Sequence, residues 1–341
     1  MRLRKALYVG LILLTLCVVL YIGMRSGDLP ASIRAIMGIP PRYVAGCVLC
    51  TFGGILMQTI SCRLALRGLG HRMSFGRLYA IMLLGEFYSY ITPGASGGQP
   101  MQVYQFHKDH LPAGDTTAAL TIHFQCFQIV LLSLDLMLYA VYRDFIAAQI
   151  GANLPLFVVG FLANAALAAG SLMIAFYQRP VRFLVRMGGA LLRRLKFRDP
   201  DKLEKLATGL ADSYYDAMRA LASDGRQMAG QFACALVRIV LLMSVMFFIY
   251  RGLGQSAASY GRIVAMGCMQ YTSAAYTPLP GASGAQEGIF GLYYSGLLPD
   301  SLLLSGLLCW RFITYYLVLI VGFFVTTALG MRDRDVNPTA P

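Results

Sequence analysis

Two stretches decide how this chain folds: Thr92-Pro93-Gly94-Ala95-Ser96-Gly97-Gly98-Gln99 and Pro280-Gly281-Ala282-Ser283-Gly284-Ala285-Gln286-Glu287. Both contain Gly-Ala-Ser-Gly-x-Gln. The first follows Tyr90-Ile91-Thr92-Pro93, the second follows Tyr276-Thr277-Pro278, and an apolar segment comes after each. Glycine reaches backbone angles closed to other residues, and proline fixes the approach to a turn. Each stretch therefore reads as a break between two helical legs.

The surroundings of these breaks are those of a lipid bilayer. Hydrophobic residues make up 57% of the chain and charged residues 13%, with a mean hydropathy of +0.60. A soluble domain cannot solvate such a surface, which excludes a soluble enzyme. A bilayer core about 30 Å thick takes roughly 20 apolar residues per helix. Runs of that kind are Ala6 to Met24, Tyr43 to Ser61, Thr116 to Tyr142, Leu154 to Tyr177, Gly230 to Tyr250 and Leu302 to Leu329. The first is preceded by Arg2, Arg4 and Lys5 as a signal peptide would be, but it is too long and lacks a small-residue cleavage site. It reads as a retained span.

The net charge of +13 fits membrane topology better than nucleic-acid binding. Arg2, Arg4, Lys5, Arg63, Arg67, Arg72 and Arg77 mark cytoplasmic segments, as do eleven Lys or Arg between Gln178 and Arg226, and Arg332 with Arg334. Both termini are then cytoplasmic, in an integral plasma membrane protein whose basic loops also suit anionic headgroups. If those loops share one side, residues 77–115 enter and leave from inside, and residues 255–300 from outside. Each reads as a re-entrant hairpin. Two like units of opposite orientation form an inverted repeat, which transporters use for alternating access around a midplane site.

The predicted fold is an all-α polytopic membrane protein with about six full transmembrane helices plus two re-entrant helical hairpins in an inverted repeat. One integral membrane domain covers 1–341, with repeat 1 over about 43–142 and repeat 2 over about 227–329. Between them lies a cytoplasmic amphipathic segment, 178–226, in which Leu203, Leu206, Leu210, Tyr214, Met218 and Leu221 share a helix face.

Non-helical backbone at membrane depth must be buried in protein or line a wet cavity. The amides opening each second leg, with the half-helix dipole, suit an anion such as a lipid phosphate. The substrate-binding candidates at the breaks are Gly94, Ser96, Gly97, Gly98, Gln99, Gly281, Ser283, Gly284, Gln286 and Glu287, with Ser96 and Ser283 as hydroxyl donors. Ionisable side chains inside spans are costly and mark function, which adds Glu86, Arg238 and Arg311. Glu86 pairs with either arginine, as a structural ion pair or a substrate contact, and Glu287 serves as a helix-capping acid or a transport residue. Asp135, His123, Gln125 and Gln128 lie on one span, as a polar path or as interhelical glue.

The eight cysteines fall in or beside apolar runs and read as small buried hydrophobes, including the Cys47 and Cys50 pair. His107-Lys108-Asp109-His110 reads as a headgroup contact or solvated helix end rather than a metal cluster. No HExxH, P-loop lysine or GxSxG elbow occurs. No catalytic residue, metal or cofactor is expected.

The stretches Thr92 to Tyr104, TPGASGGQPMQVY, and Thr277 to Gly288, TPLPGASGAQEG, resemble the transmembrane, flippase-like region of the lysylphosphatidylglycerol synthase family, also called the multiple peptide resistance factor family. The likeness extends in span order over essentially the whole chain. It implies a lipid flippase or scramblase that moves an anionic, aminoacylated or polyprenyl-linked lipid between leaflets. Family members can carry a soluble domain that transfers lysine to phosphatidylglycerol, for which no room remains after Leu329. A stand-alone membrane member is expected, and Gln99-Pro100 departs from the acid many relatives place there. Two alternatives stay open: a phosphatidylglycerol lysyltransferase-related protein in cationic peptide resistance that needs a separate catalytic domain, and a small-solute secondary transporter. The expected partner is a membrane lipid with an anionic headgroup, not nucleic acid, and a homo-oligomer or a partner aminoacyl or glycosyl transferase is compatible with this reading.

Overall fold

The computed structural model of the chain describes residues 29–194, 199–274, 277 and 279–336. The span expected from Ala6 to Met24 lies outside them. All regular structure among the described residues is helical: α1 (Leu29–Met37), α2 (Pro41–Gly68), α3 (Phe75–Ile91), α4 (Gly98–Lys108), α5 (Ala113–Val141), α6 (Arg143–Ile150), α7 (Leu154–Phe176), α8 (Gln178–Arg194), α9 (Pro200–Ser223), α10 (Gly225–Gly252), α11 (Tyr260–Ala274), α12 (Ala285–Tyr294), α13 (Asp300–Arg311) and α14 (Leu317–Val336). Five helical stretches among them are long and apolar enough to cross a membrane: Pro41–Gly68, Ala113–Val141, Arg143–Phe176, Gly225–Gly252 and Asp300–Gly330.

Two of these differ from the expected spans. The run from Leu154 is extended backwards by α6, joined to α7 through the short turn Gly151–Asn153. The run from Leu302 carries a π-helical turn, Phe312–Tyr316, between α13 and α14. That turn contains neither Gly nor Pro, so no breaker signal announces it.

The framework is the long contact between α2 and α10, which are 28 residues each. Gly46, Cys50 and Gly54 recur one helical turn apart on α2. A Cβ added at Gly46 would stand 2.9 Å from the Phe248 ring, and one at Gly54 3.3 Å from Leu242. Within lipid, burial of apolar side chains supplies no drive between helices, so small residues that let backbones approach do the joining.

The helices α7 and α11 meet more closely still. A Cβ at Gly160 would lie 2.7 Å from both the Thr272 carbonyl oxygen and the Ser273 Cα, backbone atoms that cannot swing aside. Asn164 stitches the same contact, its amide donating to the Gly160 carbonyl at 2.8 Å and to that of Thr272 at 3.0 Å. Gly160→Ala is expected to prise the two helices apart and cost about 1–3 kcal/mol. An unchanged melting midpoint in detergent would contradict this contact.

The long basic segment folds as two helices, α8 and α9, tied by Arg182 to Asp212 at 3.1 Å and by Arg193 to Asp201 and Glu204 at 2.8 and 2.9 Å. The expected apolar face of α9 is divided. Met218 and Leu221 are buried, whereas Leu203, Leu206 and Leu210 are exposed. Its contact with the bundle is chiefly to α5, where Asp115 accepts from Ser213 at 3.3 Å and meets His71 at 2.6 Å.

Each expected hairpin is two short helices around a break: α3 and α4 of 17 and 11 residues, α11 and α12 of 15 and 10. At 1.5 Å per residue the longest leg reaches about 25 Å, short of a bilayer core. Both follow a 28-residue helix and precede a stretch long enough to span, Ala113–Val141 and Asp300–Gly330.

Candidate functional site

The two breaks share conformation as well as sequence. Gly94 has φ 58° and ψ 26°, and Gly281 has φ 59° and ψ 19°. The alanine after each is also left-handed, Ala95 at φ 55° and Ala282 at φ 49°. Such angles cost a residue with a Cβ about 1–2 kcal/mol. Two tight turns hold them: the Ala95 and Ser96 amides donate to the Thr92 and Pro93 carbonyls at 3.2 and 3.3 Å, and those of Ala282 and Ser283 to Leu279 and Pro280 at 2.9 and 3.2 Å. The two breaks pack against each other.

At the expected anion cradle, the Gly97 and Gly284 amides and both serine hydroxyls already donate to the chain's own oxygens. The Gly97 amide donates to Thr92 Oγ1 at 2.8 Å, and the Gly284 amide to Glu287 Oε2 at 2.6 Å. The Ser96 and Ser283 hydroxyls donate to the Pro93 and Pro280 carbonyls at 2.9 and 3.0 Å. Unpaired donors in a low-dielectric interior are costly, so the turns close upon themselves. Gly98 serves packing, since a Cβ there would fall 2.0 Å from Ser89 Oγ. Gln99 is exposed.

Positive charge reaches the meeting point of the breaks from two arginines. Arg238 of α10 donates through Nη2 to Glu86 at 2.7 Å and through Nη1 to His123 Nε2 at 2.7 Å. A guanidinium only donates, so that imidazole nitrogen accepts and the proton of neutral His123 sits on Nδ1. There it faces Ser61 Oγ at 2.8 Å, and Ser61 passes its own hydroxyl proton direction to Gln231 Oε1. Arg311 of α13 donates through Nε to Glu287 at 2.6 Å and through Nη1 to the Gly281 carbonyl at 3.2 Å. The rings of Trp310 and Tyr315 flank it at 5.3 and 5.4 Å.

Glu86, left with two arginine partners by sequence, thus takes Arg238, and Glu287 takes Arg311 while capping its own helix. The pairs border one cavity of about 230 Å³. Of the residues singled out in the sequence, Gly94, Gly281, Gln286, Glu86, Arg238 and Arg311 line it. Ser96, Gly97, Gly98, Gln99, Ser283 and Gly284 do not, and Glu287 acts on it through Arg311. Tyr90, Tyr271, Trp310 and Tyr315 also line it. Sequence reading passed over them because aromatic residues in a bundle usually serve packing.

A model of the lysylphosphatidylglycerol synthase TM region matches residues 7–322 of the 341. The chain belongs to that family. No curated protein matches it as a relative. As a lysylphosphatidylglycerol synthase TM region protein it is an integral membrane protein, and the match covers nearly all of the chain.

Other polar groups of this family member are dispersed. Gln125 donates to Ser171 at 2.9 Å, Gln128 to Asn164 at 3.4 Å, and Asp135 accepts from Thr272 at 2.6 Å, so His123 alone of that set joins the arginines. Asp109 of the His107–His110 group takes Arg77 through both carboxylate oxygens at 2.9 and 3.0 Å. That bidentate pair fastens the feet of α3 and α4, which a headgroup contact would not do. The described cysteines are all free and buried.

Proposed function

We propose that this protein moves a lipid with an anionic, phosphate-bearing headgroup between bilayer leaflets, by alternating access around the cavity where the two breaks meet. The observation that carries the reading is the pair of arginines, one beside each break, on a single cavity. In each, one buried nitrogen has no protein acceptor, Nε of Arg238 and Nη2 of Arg311. Guanidinium donors suit phosphate oxygens through direction and charge, and the paired carboxylates let both cations exist at membrane depth before a guest arrives.

The legs too short to cross support re-entrant hairpins, residues 77–115 dipping from the cytoplasm and 255–300 from outside. In that arrangement the basic loops, both termini included, lie on the cytoplasmic side of the plasma membrane, and the two halves form an inverted repeat about the cavity.

The test is purified protein in vesicles holding headgroup-labelled phosphatidylglycerol, its aminoacylated form or a polyprenyl phosphate, with a reductant that quenches the outer leaflet alone. The wild type is expected to expose inner-leaflet label for at least one of these. Arg238→Gln is expected to slow that exposure about tenfold or more, the equivalent of roughly 1.4 kcal/mol in barrier. Rates equal to those of empty vesicles for every lipid would defeat the proposal.

A further inference from the structure

Asp135 of α5 has no part in the cavity, yet it is the most exposed to question of the intramembrane acids. It is fully buried. Its Oδ2 accepts one hydrogen bond, from Thr272 Oγ1 of α11 at 2.6 Å, and its Oδ1 has no partner. Glu86 and Glu287 each hold an arginine; Asp135 holds none.

Among the described residues, the elements around it bring no cation to its carboxylate. Helix α7, packed on both α5 and α11, contains no ionisable residue and supplies Asn164, bonded to the Thr272 carbonyl at 3.0 Å. Helix α11 supplies the buried Cys268 thiol, and its Arg262 lies over the Phe145 ring beyond the end of α5. Its Tyr271 turns to Phe127. Helix α12 supplies Tyr293, bonded to Ser273 at 2.8 Å, and Tyr294. From α10 comes Arg238, which meets α5 at Phe127 and His123, eight and twelve residues, or about 12 and 18 Å, along the helix from Asp135.

A bare carboxylate with one donor and no cation, inside a protein surrounded by lipid, is far more costly than the neutral acid. Thr272 also occupies a telling place. It is the residue after Gln270 and Tyr271, which line the cavity, on the leg that leads to the second break. The link between Asp135 and Thr272 thus fastens that leg to α5 and α7.

We propose that Asp135 is a proton-binding site, occupied while α11 is packed on α5 and emptied when that leg moves, so that lipid movement is coupled to protons. On release the Oδ1–H bond breaks, its electron pair stays on the carboxylate, and the proton passes to water admitted by the displaced leg; uptake reverses each step. The coupling rests on the transport reading, whereas the occupied site stands without it.

Infrared difference spectroscopy of the full chain in vesicles, between neutral and alkaline buffer, reads the site directly. A carbonyl stretch of a neutral carboxylic acid is expected at neutral pH, absent in Asp135→Asn and shifted upward in Thr272→Val, which removes its hydrogen bond. Absence of such a band, or a band unaffected by both variants, overturns the site, and the Thr272 variant answers alone if the Asn variant does not fold. In the labelled-lipid assay a proton gradient is expected to change the wild-type rate severalfold and leave Asp135→Asn unmoved. A wild-type rate indifferent to the gradient overturns the coupling even where the band is present.

Discussion

Replacing Arg311 with Met is expected to be the most damaging single change in the chain, lowering stability by about 3–5 kcal/mol. The loss comes less from the missing attraction than from what stays behind. Glu287 is buried and would be left without its cation, and the Gly281 carbonyl would lose its donor. Glu287→Met is expected to cost a comparable amount for the mirror-image reason. The double replacement is expected to cost less than either single one, because an apolar pair of similar volume removes both stranded charges together. Melting midpoints of the three variants in detergent form the cycle. A double variant as unstable as the sum of the singles would mean that the two side chains do not depend on each other. The double variant is also expected to fold yet carry no lipid, since one of the two phosphate-facing cations is gone.

The second large effect separates two glycines that sequence treats as equals. Gly94 and Gly281 share a left-handed backbone, so Ala at either position meets the same conformational cost, about 1–2 kcal/mol. Their surroundings differ. A Cβ at Gly94 meets nothing within 4 Å, whereas one at Gly281 would stand 2.2 Å from the Tyr315 ring. Tyr315 cannot yield freely: it packs with Tyr90 at 5.1 Å, flanks Arg311 and donates to the Tyr90 carbonyl at 3.4 Å. Gly281→Ala is expected to add about 1–3 kcal/mol of overpacking and to depress lipid movement with it, while Gly94→Ala keeps most of both. Equal melting losses in the two variants would contradict the described packing around the second break.

The breaks themselves were legible in the sequence because Gly and Pro act locally, and a left-handed Gly-Ala turn needs no distant partner to be anticipated. The spans were legible for a similar reason: length and apolarity are properties of a segment. Pairing is not. Arg238 and Glu86 lie 152 residues apart, and only the crossing of α10 with the other helices decides that Glu86 takes Arg238 and not Arg311. That the Gly97 and Gly284 amides are taken by Thr92 and Glu287 was hidden for a subtler reason. Thr92 and Glu287 were visible, but whether a side chain returns to its own turn or faces a guest depends on rotamer and packing. The division of the basic segment had a readable cue, Asp199-Pro200, an acid before a first-turn proline. The exposure of half of its leucine stripe had none, since it follows from where α5 begins, with Asp115 beside Ser213.

The matched ion pairs bear on how voltage acts. Two guanidinium cations and two carboxylates sum to zero, so in the proposed transport cycle the two pairs themselves drag no net charge through the membrane field. On the proposed reading the field then acts on the guest and on the proton exchanged at Asp135, each unit of charge being worth about 2.3 kcal/mol per 100 mV.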